Sequence, residues 1–190
     1  MRATFLRKRS GQVAAGVAVA AVLGVGAVAV AGGRGGDIRE RLSGYEEVPA
    51  LSTRGEGTFR AWVNRSHTEI HYRLHVEDLG SDFMQAHIHF ENATNNGPVV
   101  VFLCSNLGNG PEGTQACPAG GGWIRGVIEA DDVTAGGAAQ GLDAGEIGEL
   151  VKAIRAGATY VNVHSADFPA GEIRAQLGND HRHDGDHHDG

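Results

Sequence analysis

The feature that most constrains this chain is a ten-residue alternation. From His67 to Val76, the polar residues His67, Glu69, His71, Arg73 and His75 alternate with Thr68, Ile70, Tyr72, Leu74 and Val76. A period of two fits a strand with one wet face and one face built into a core, and it does not fit a helix. Six further short segments, 57–63, 85–90, 99–103, 123–130, 159–164 and 172–177, are rich in β-branched or aromatic residues and bounded by Gly, Asn, Asp or Pro. That pattern predicts an all-β domain, a Greek-key β-sandwich or barrel. The 30 glycines follow no collagen-like period and suit a strand-and-turn architecture.

One helix interrupts the strands. Leu142, Ile147, Leu150, Val151 and Ile154 share a face at helical spacing, Asp143 with Glu146 resembles a capping box, and Gly157 can end the segment. It is expected as a short crossover helix covering one end of the sandwich. No GxGxxG, P-loop or alternating βαβ rhythm is present, which excludes a nucleotide-binding fold.

The chain divides into four expected parts. Residues 1–31 read as an export signal, with Arg2, Arg7, Lys8 and Arg9 ahead of an uncharged Ala/Val/Gly run from Gln12 to Val30, and Ala29-Val30-Ala31 as a small-residue cleavage site. The run is long for a signal peptide, so an uncleaved N-terminal anchor, the one route to a membrane, is the alternative. Residues 32–40 read as a linker, 41–178 as the β domain, and 179–190 as a His/Asp-rich disordered tail with no apolar residue. Cleavage after residue 31 would take the formal charge from −7 to −11. An acidic mature chain argues against nucleic acid as a partner, because phosphate contacts need a basic patch and none is found. Export implies a secreted or cell-envelope location and an oxidising compartment, so Cys104 and Cys117 are expected as a disulfide rather than two buried thiols.

Candidate chemistry rests on histidine. In His87-Ile88-His89, residues two apart project from one strand face, so both imidazoles point outward together while Ile88 faces the core. In Tyr160-Val161-Asn162-Val163-His164, Val161 and Val163 face inward and His164 projects outward at the strand's end. If the strands meet, three imidazoles converge, a donor set suited to copper or zinc rather than calcium or magnesium. The structural alternative is that they make surface hydrogen bonds. His67, His71 and His75 share the face of the long strand and read as solvated. The tail histidines either chelate metal weakly or end the chain as a solvated terminus.

Several blocks recur in order. Leu42-Ser43-Gly44 with Glu46-Glu47-Val48-Pro49, Gln85-Ala86-His87-Ile88-His89, Asn96-Gly97-Pro98-Val99-Val100, and Tyr160 to Ser165 followed by Pro169 and Gly171-Glu172-Ile173-Arg174 together resemble the CHRD family, the domain first recognised in chordin. The resemblance implies an exported single β domain acting as an extracellular or envelope binding module toward an unknown protein partner. It brings no general enzymatic activity. The stretch from Cys104 to Trp123 looks like a lineage-specific insertion.

A weaker likeness concerns layout. A His-x-His strand early, and late in the chain a Val-His followed by Asp167 and Gly171 to Arg174, is similar to the copper side of copper/zinc superoxide dismutases. The fold is accordingly expected to be immunoglobulin-like or superoxide-dismutase-like. By that analogy His87, His89 and His164 hold copper, with zinc second, and Arg174 stands near an open position and attracts an anion. No metal-bridging fourth His or complete zinc subsite is visible. Glu172 and Arg174 are expected to pair at the surface of the last strand, and Glu46 and Glu47 either to pair with arginines or to be solvated. Two functions follow: a binding module with a His-based metal site, or a copper-dependent redox protein. A hydrolase is disfavoured, because Ser43, Ser52 and Ser105 lie in no nucleophile elbow.

Overall fold

The computed structural model describes residues 38–178. The expected export segment, residues 32–37 of the linker and the tail 179–190 lie outside the described residues. Eight strands form one antiparallel sheet: β1 (Ile38–Ser43), β2 (Glu56–Val63), β3 (Ile70–Glu77), β4 (Phe83–Phe90), β5 (Val99–Ser105), β6 (Gly122–Ile128), β7 (Thr159–Ser165) and β8 (Ile173–Leu177). Their order, β5-β4-β7-β8-β1-β2-β3-β6, keeps β1-β2-β3, β4-β5 and β7-β8 adjacent, separates β3 from β4, β5 from β6 and β6 from β7, and makes a nearly closed barrel or sandwich. The all-β expectation holds.

The edge strands β5 and β6 approach each other, and the seam is bridged by side chains. Gln115, in the loop between them, places its Nε2 within 3.0 Å of the Leu103 carbonyl on β5 and 3.2 Å of the Arg125 carbonyl on β6. Cys104 and Cys117 form the expected disulfide, which ties this loop back onto β5. Bridging satisfies edge groups that would otherwise recruit foreign strands.

Alternation explains the core. Phe59, Leu74, Ile88, Val161 and Ile173 are fully buried in one cluster. The helix α1 (Ile147–Arg155) adds Ile147, Leu150, Val151 and Ile154 to it. Leu142 is buried too, but it precedes the helix. The expected capping box is only half made. Glu146 Oε2 accepts from the Asp143 N–H at 3.0 Å, and no side chain caps the first turn of α1 itself. At the other end Gly157 takes φ +71° and donates to the Ile154 carbonyl, closing the helix.

Two boundaries differ from expectation. The long strand begins at Ile70, because His67 sits in the preceding turn at φ 58°, so it does not share a face with His71 and His75. Asn64 holds that turn, its Oδ1 accepting from the Thr68 and Glu69 N–H groups. Residues 38–40, expected as linker, are strand: β1 pairs along its whole length with β2 and meets β8 at Ser43–Arg174. Its sequence, IRERLS, has too few apolar residues to announce a strand.

β4 and β7 are buried on both faces. Their core-side residues, Ala86 with Val163 and Ile88 with Val161, are apolar. Their other face carries polar groups and is covered by the chain between β1 and β2, the β4–β5 loop (91–98) and the turn before β8.

Candidate metal centre

Register assembles the polar face row by row. His87 is opposite Asn162, which is opposite Arg174; His89 is opposite Tyr160, which is opposite Gln176; His164 is opposite Gln85. The three candidate histidines therefore converge across two adjacent strands, as the alternation implied. They do not project into solvent. His87, His89 and His164 are 4%, 7% and 8% exposed, because the covering loops close over them.

Their available nitrogens lie within 4.8 Å of one another. His89 Nδ1 lies 2.9 Å from the Gly97 carbonyl and His164 Nδ1 3.0 Å from the Pro169 carbonyl. A carbonyl only accepts, so both Nδ1 atoms carry the proton and both Nε2 atoms keep a lone pair. His87 Nδ1 lies 3.1 Å from His164 Nε2 and must donate to it, which leaves His87 Nε2 as an acceptor. His87 Nε2 and His89 Nε2 are buried without a hydrogen-bond partner.

Burial keeps the cluster neutral. Desolvation, with the neighbouring imidazoles adding to it, pushes His87 down to about 3. Desolvation likewise pushes His89 down to about 4 against the opposing bond to Gly97, and lowers His164. Neutral imidazoles present lone pairs at physiological pH, the form a metal ion requires.

Residues that sequence reasoning did not assign to the site support it. Tyr160 stacks on His89 with centroids 4.7 Å apart, and its hydroxyl accepts from the Gly97 N–H at 3.0 Å. Phe102 meets His87 in a T-shaped contact at 4.5 Å. Tyr160, Asn162 and His164 are two apart on one strand, so their shared face was legible. Gly97 is glycine for want of room, since a Cβ there would collide with the Phe90 carbonyl oxygen.

The charged neighbours depart from expectation. Arg174 is 1% exposed and does not stand at an open position. Its guanidinium lies 3.4 Å above the Tyr160 ring and donates to the Asn92 and Asn95 carbonyls and to Asn96 Oδ1. Nor does it pair with Glu172, which is also buried and accepts from Thr53 Oγ1 at 2.6 Å and the Gly80 N–H at 2.8 Å. Glu172 precedes β8 and is held by the segments before β2 and between β3 and β4. Glu46 is exposed, whereas Glu47 is buried and accepts from Asn162 Nδ2 at 2.6 Å. Desolvation pushes Glu47 up to about 7 despite the Asn162 bond and the charge of Arg174.

The site is thus three neutral imidazoles, two of them fixed by backbone carbonyls, under a lid pinned by a buried arginine. The family description of the CHRD domain matches residues 38–177, the whole of the described barrel. The chain belongs to the CHRD family. No curated protein and no solved structure matches it. In this CHRD domain the quoted blocks lie close together: Gly97, Pro169, Gly171 and Arg174 all border the face that carries the histidines. Gly171, at φ +132°, lies where a Cβ would meet Asn162 and Glu47 at 2.8 Å.

Proposed function

We propose that this CHRD domain is an extracytoplasmic binding module that holds one transition-metal ion, copper in preference to zinc, on His87, His89 and His164. The observation that carries the reading is the pair of buried, unpartnered Nε2 lone pairs. A buried acceptor left without a partner costs about 1–3 kcal/mol. Two of them side by side, both on imidazoles, are accounted for by a cation that accepts their lone pairs. The carbonyls of Gly97 and Pro169 are the kind of outer partner that fixes the tautomer and orientation of a metal-bound imidazole. Disulfide and family both agree with an oxidising compartment.

The redox alternative is weaker. Electrostatic guidance of an anion would need a charge at the mouth of the site, and Arg174 is buried beneath the loop and engaged with it. Binding is the function the geometry favours.

The test is calorimetric titration of Cu(II) and Zn(II) into the full chain and into a chain ending at Gly178, because the tail's imidazoles and carboxylates chelate independently. One equivalent of copper in the shorter chain, lost in both His87→Ala and His164→Ala variants of unchanged circular dichroism, is expected. No binding in the shorter chain would make the triad a structural polar layer and end the metal reading.

A further inference from the structure

The sheet face farthest along the strand order from the histidines carries a second, unrelated constellation. The register of β1, β2, β3 and β6 aligns Arg39, Arg60, Arg73 and Arg125 in one row across four adjacent strands. The next row sets Arg41 beside Thr58, His75 and Trp123, and the row on the other side sets Trp62 beside His71 and Val127. Five of the ten lysines and arginines between residues 38 and 178 therefore lie on one face of an acidic protein. The expectation that the chain has no basic patch is overturned: the patch is made by strand pairing, since each strand gives one or two arginines and no segment gives a run.

The row is unfavourable by itself. Side chains directly opposite in an antiparallel pair have Cβ atoms about 4.5–5.5 Å apart, and like charges there repel. Among the described residues no carboxylate forms an ion pair with Arg41, Arg60, Arg73 or Arg125; the nearby acids are engaged at the margins, Glu69 with His71 and Glu77 with His75. A shallow depression with Trp62, Arg73, Arg125 and Val127 on its walls lies over the β3–β6 end of the row. The indoles are exposed, Trp62 at 44% and Trp123 at 49%. Each leans on a neighbour: Trp62 stacks on His71 at 5.0 Å, and Trp123 lies against His75 at 4.7 Å with Arg125 over its ring.

We infer that this face binds an acidic polysaccharide bearing carboxylate or sulfate groups. Guanidinium forks recognise both anions in the same bidentate geometry. The strand spacing of about 4.8 Å sets one positive charge per strand across the row, a ladder for a linear polyanion running across the strands. The indoles flanking the row offer a negative ring face to the C–H groups of a sugar ring. Nucleic acid would use the same exposed indole faces, so the oligonucleotide arm of the test separates it from a glycan. A disulfide-bonded domain also belongs to compartments where surface glycans are the common polyanions.

The test uses the metal-free full chain, so that the tail is constant throughout. Affinities are measured for a heparin octasaccharide, an oligogalacturonate of equal length, neutral dextran, a (dT)12 oligonucleotide and phosphatidylglycerol vesicles, at low and doubled salt. The inference expects one of the two acidic sugars to bind best, dextran not to bind, and binding to weaken as salt rises. It expects an Arg60→Gln/Arg73→Gln double variant to lose at least tenfold in affinity and Trp62→Ala at least threefold, with the melting temperature of the double variant equal to or above wild type. Arg125→Gln, on the edge strand, repeats the reading with the least structural disturbance. Absence of sugar binding, tighter binding of oligonucleotide or vesicles through the same residues, or unchanged affinity in the arginine variants would each overturn it.

Discussion

At the residue scale, the histidine face depends on backbone groups placed by glycines and on a buried arginine. Gly97→Ala would drive a Cβ onto the Phe90 carbonyl and displace the oxygen that orients His89. Its expected cost is about 1–3 kcal/mol in urea unfolding, together with weaker copper binding. Arg174→Met keeps the length of the side chain but leaves the Asn92 and Asn95 carbonyls without their donor. A loss of about 2–4 kcal/mol follows from breaking a buried charged network, and hydrogen exchange in residues 91–98 should rise with it. An unchanged exchange pattern would show that Arg174 does not hold the loop.

At the element scale, the molecule depends on closing one sheet on itself. The seam between β5 and β6 has no strand-to-strand ladder and relies on Gln115, Tyr72 and the disulfide. Removing the disulfide by Cys104→Ala with Cys117→Ala is expected to cost about 2–4 kcal/mol, read from the denaturant midpoint. α1 contributes mainly through its apolar face, so Leu150→Ala should cost about 2–5 kcal/mol, as other buried leucines do. The strands were the most legible elements, because alternation is local. β1 was not legible: its identity comes from pairing with β2 and β8 on either side rather than from its own pattern. The start of β3 was misplaced for the converse reason, since the alternation runs on through a turn that Asn64 imposes.

At the scale of the whole molecule, acid should destabilise the metal-free protein. The three histidines titrate lower in the folded state than their usual 6.5, His87 at about 3 and His89 at about 4. Between about pH 4 and 6.5 the unfolded chain therefore binds more protons, and stability rises with pH across that window. Glu47 acts in the opposite sense: its folded value, about 7, exceeds its usual 4.5, so its contribution falls as pH rises through that range. Three groups against one give a net rise from pH 4.5 to 6.5, measurable as melting temperature against pH. A His87→Leu variant should show a visibly shallower rise. Saturating copper should raise stability by about 2.7 kcal/mol at a hundredfold excess over its dissociation constant, an increment absent from the His164→Ala variant.

The strand-rich fold, the helix, the cysteine pair and the three histidines that could meet were legible in the chain alone, because each is written as a short-range period or a family block. It could not determine their surroundings. Which loops cover β4 and β7, where Arg174 and Glu172 point, and which arginines stand side by side are set by strand order and register. Register joins residues that are distant in the chain, such as Arg39 with Arg60 and Arg73 with Arg125. Only the covering loops turned an exposed-looking His-x-His into a buried cluster, and only register turned four scattered arginines into a row.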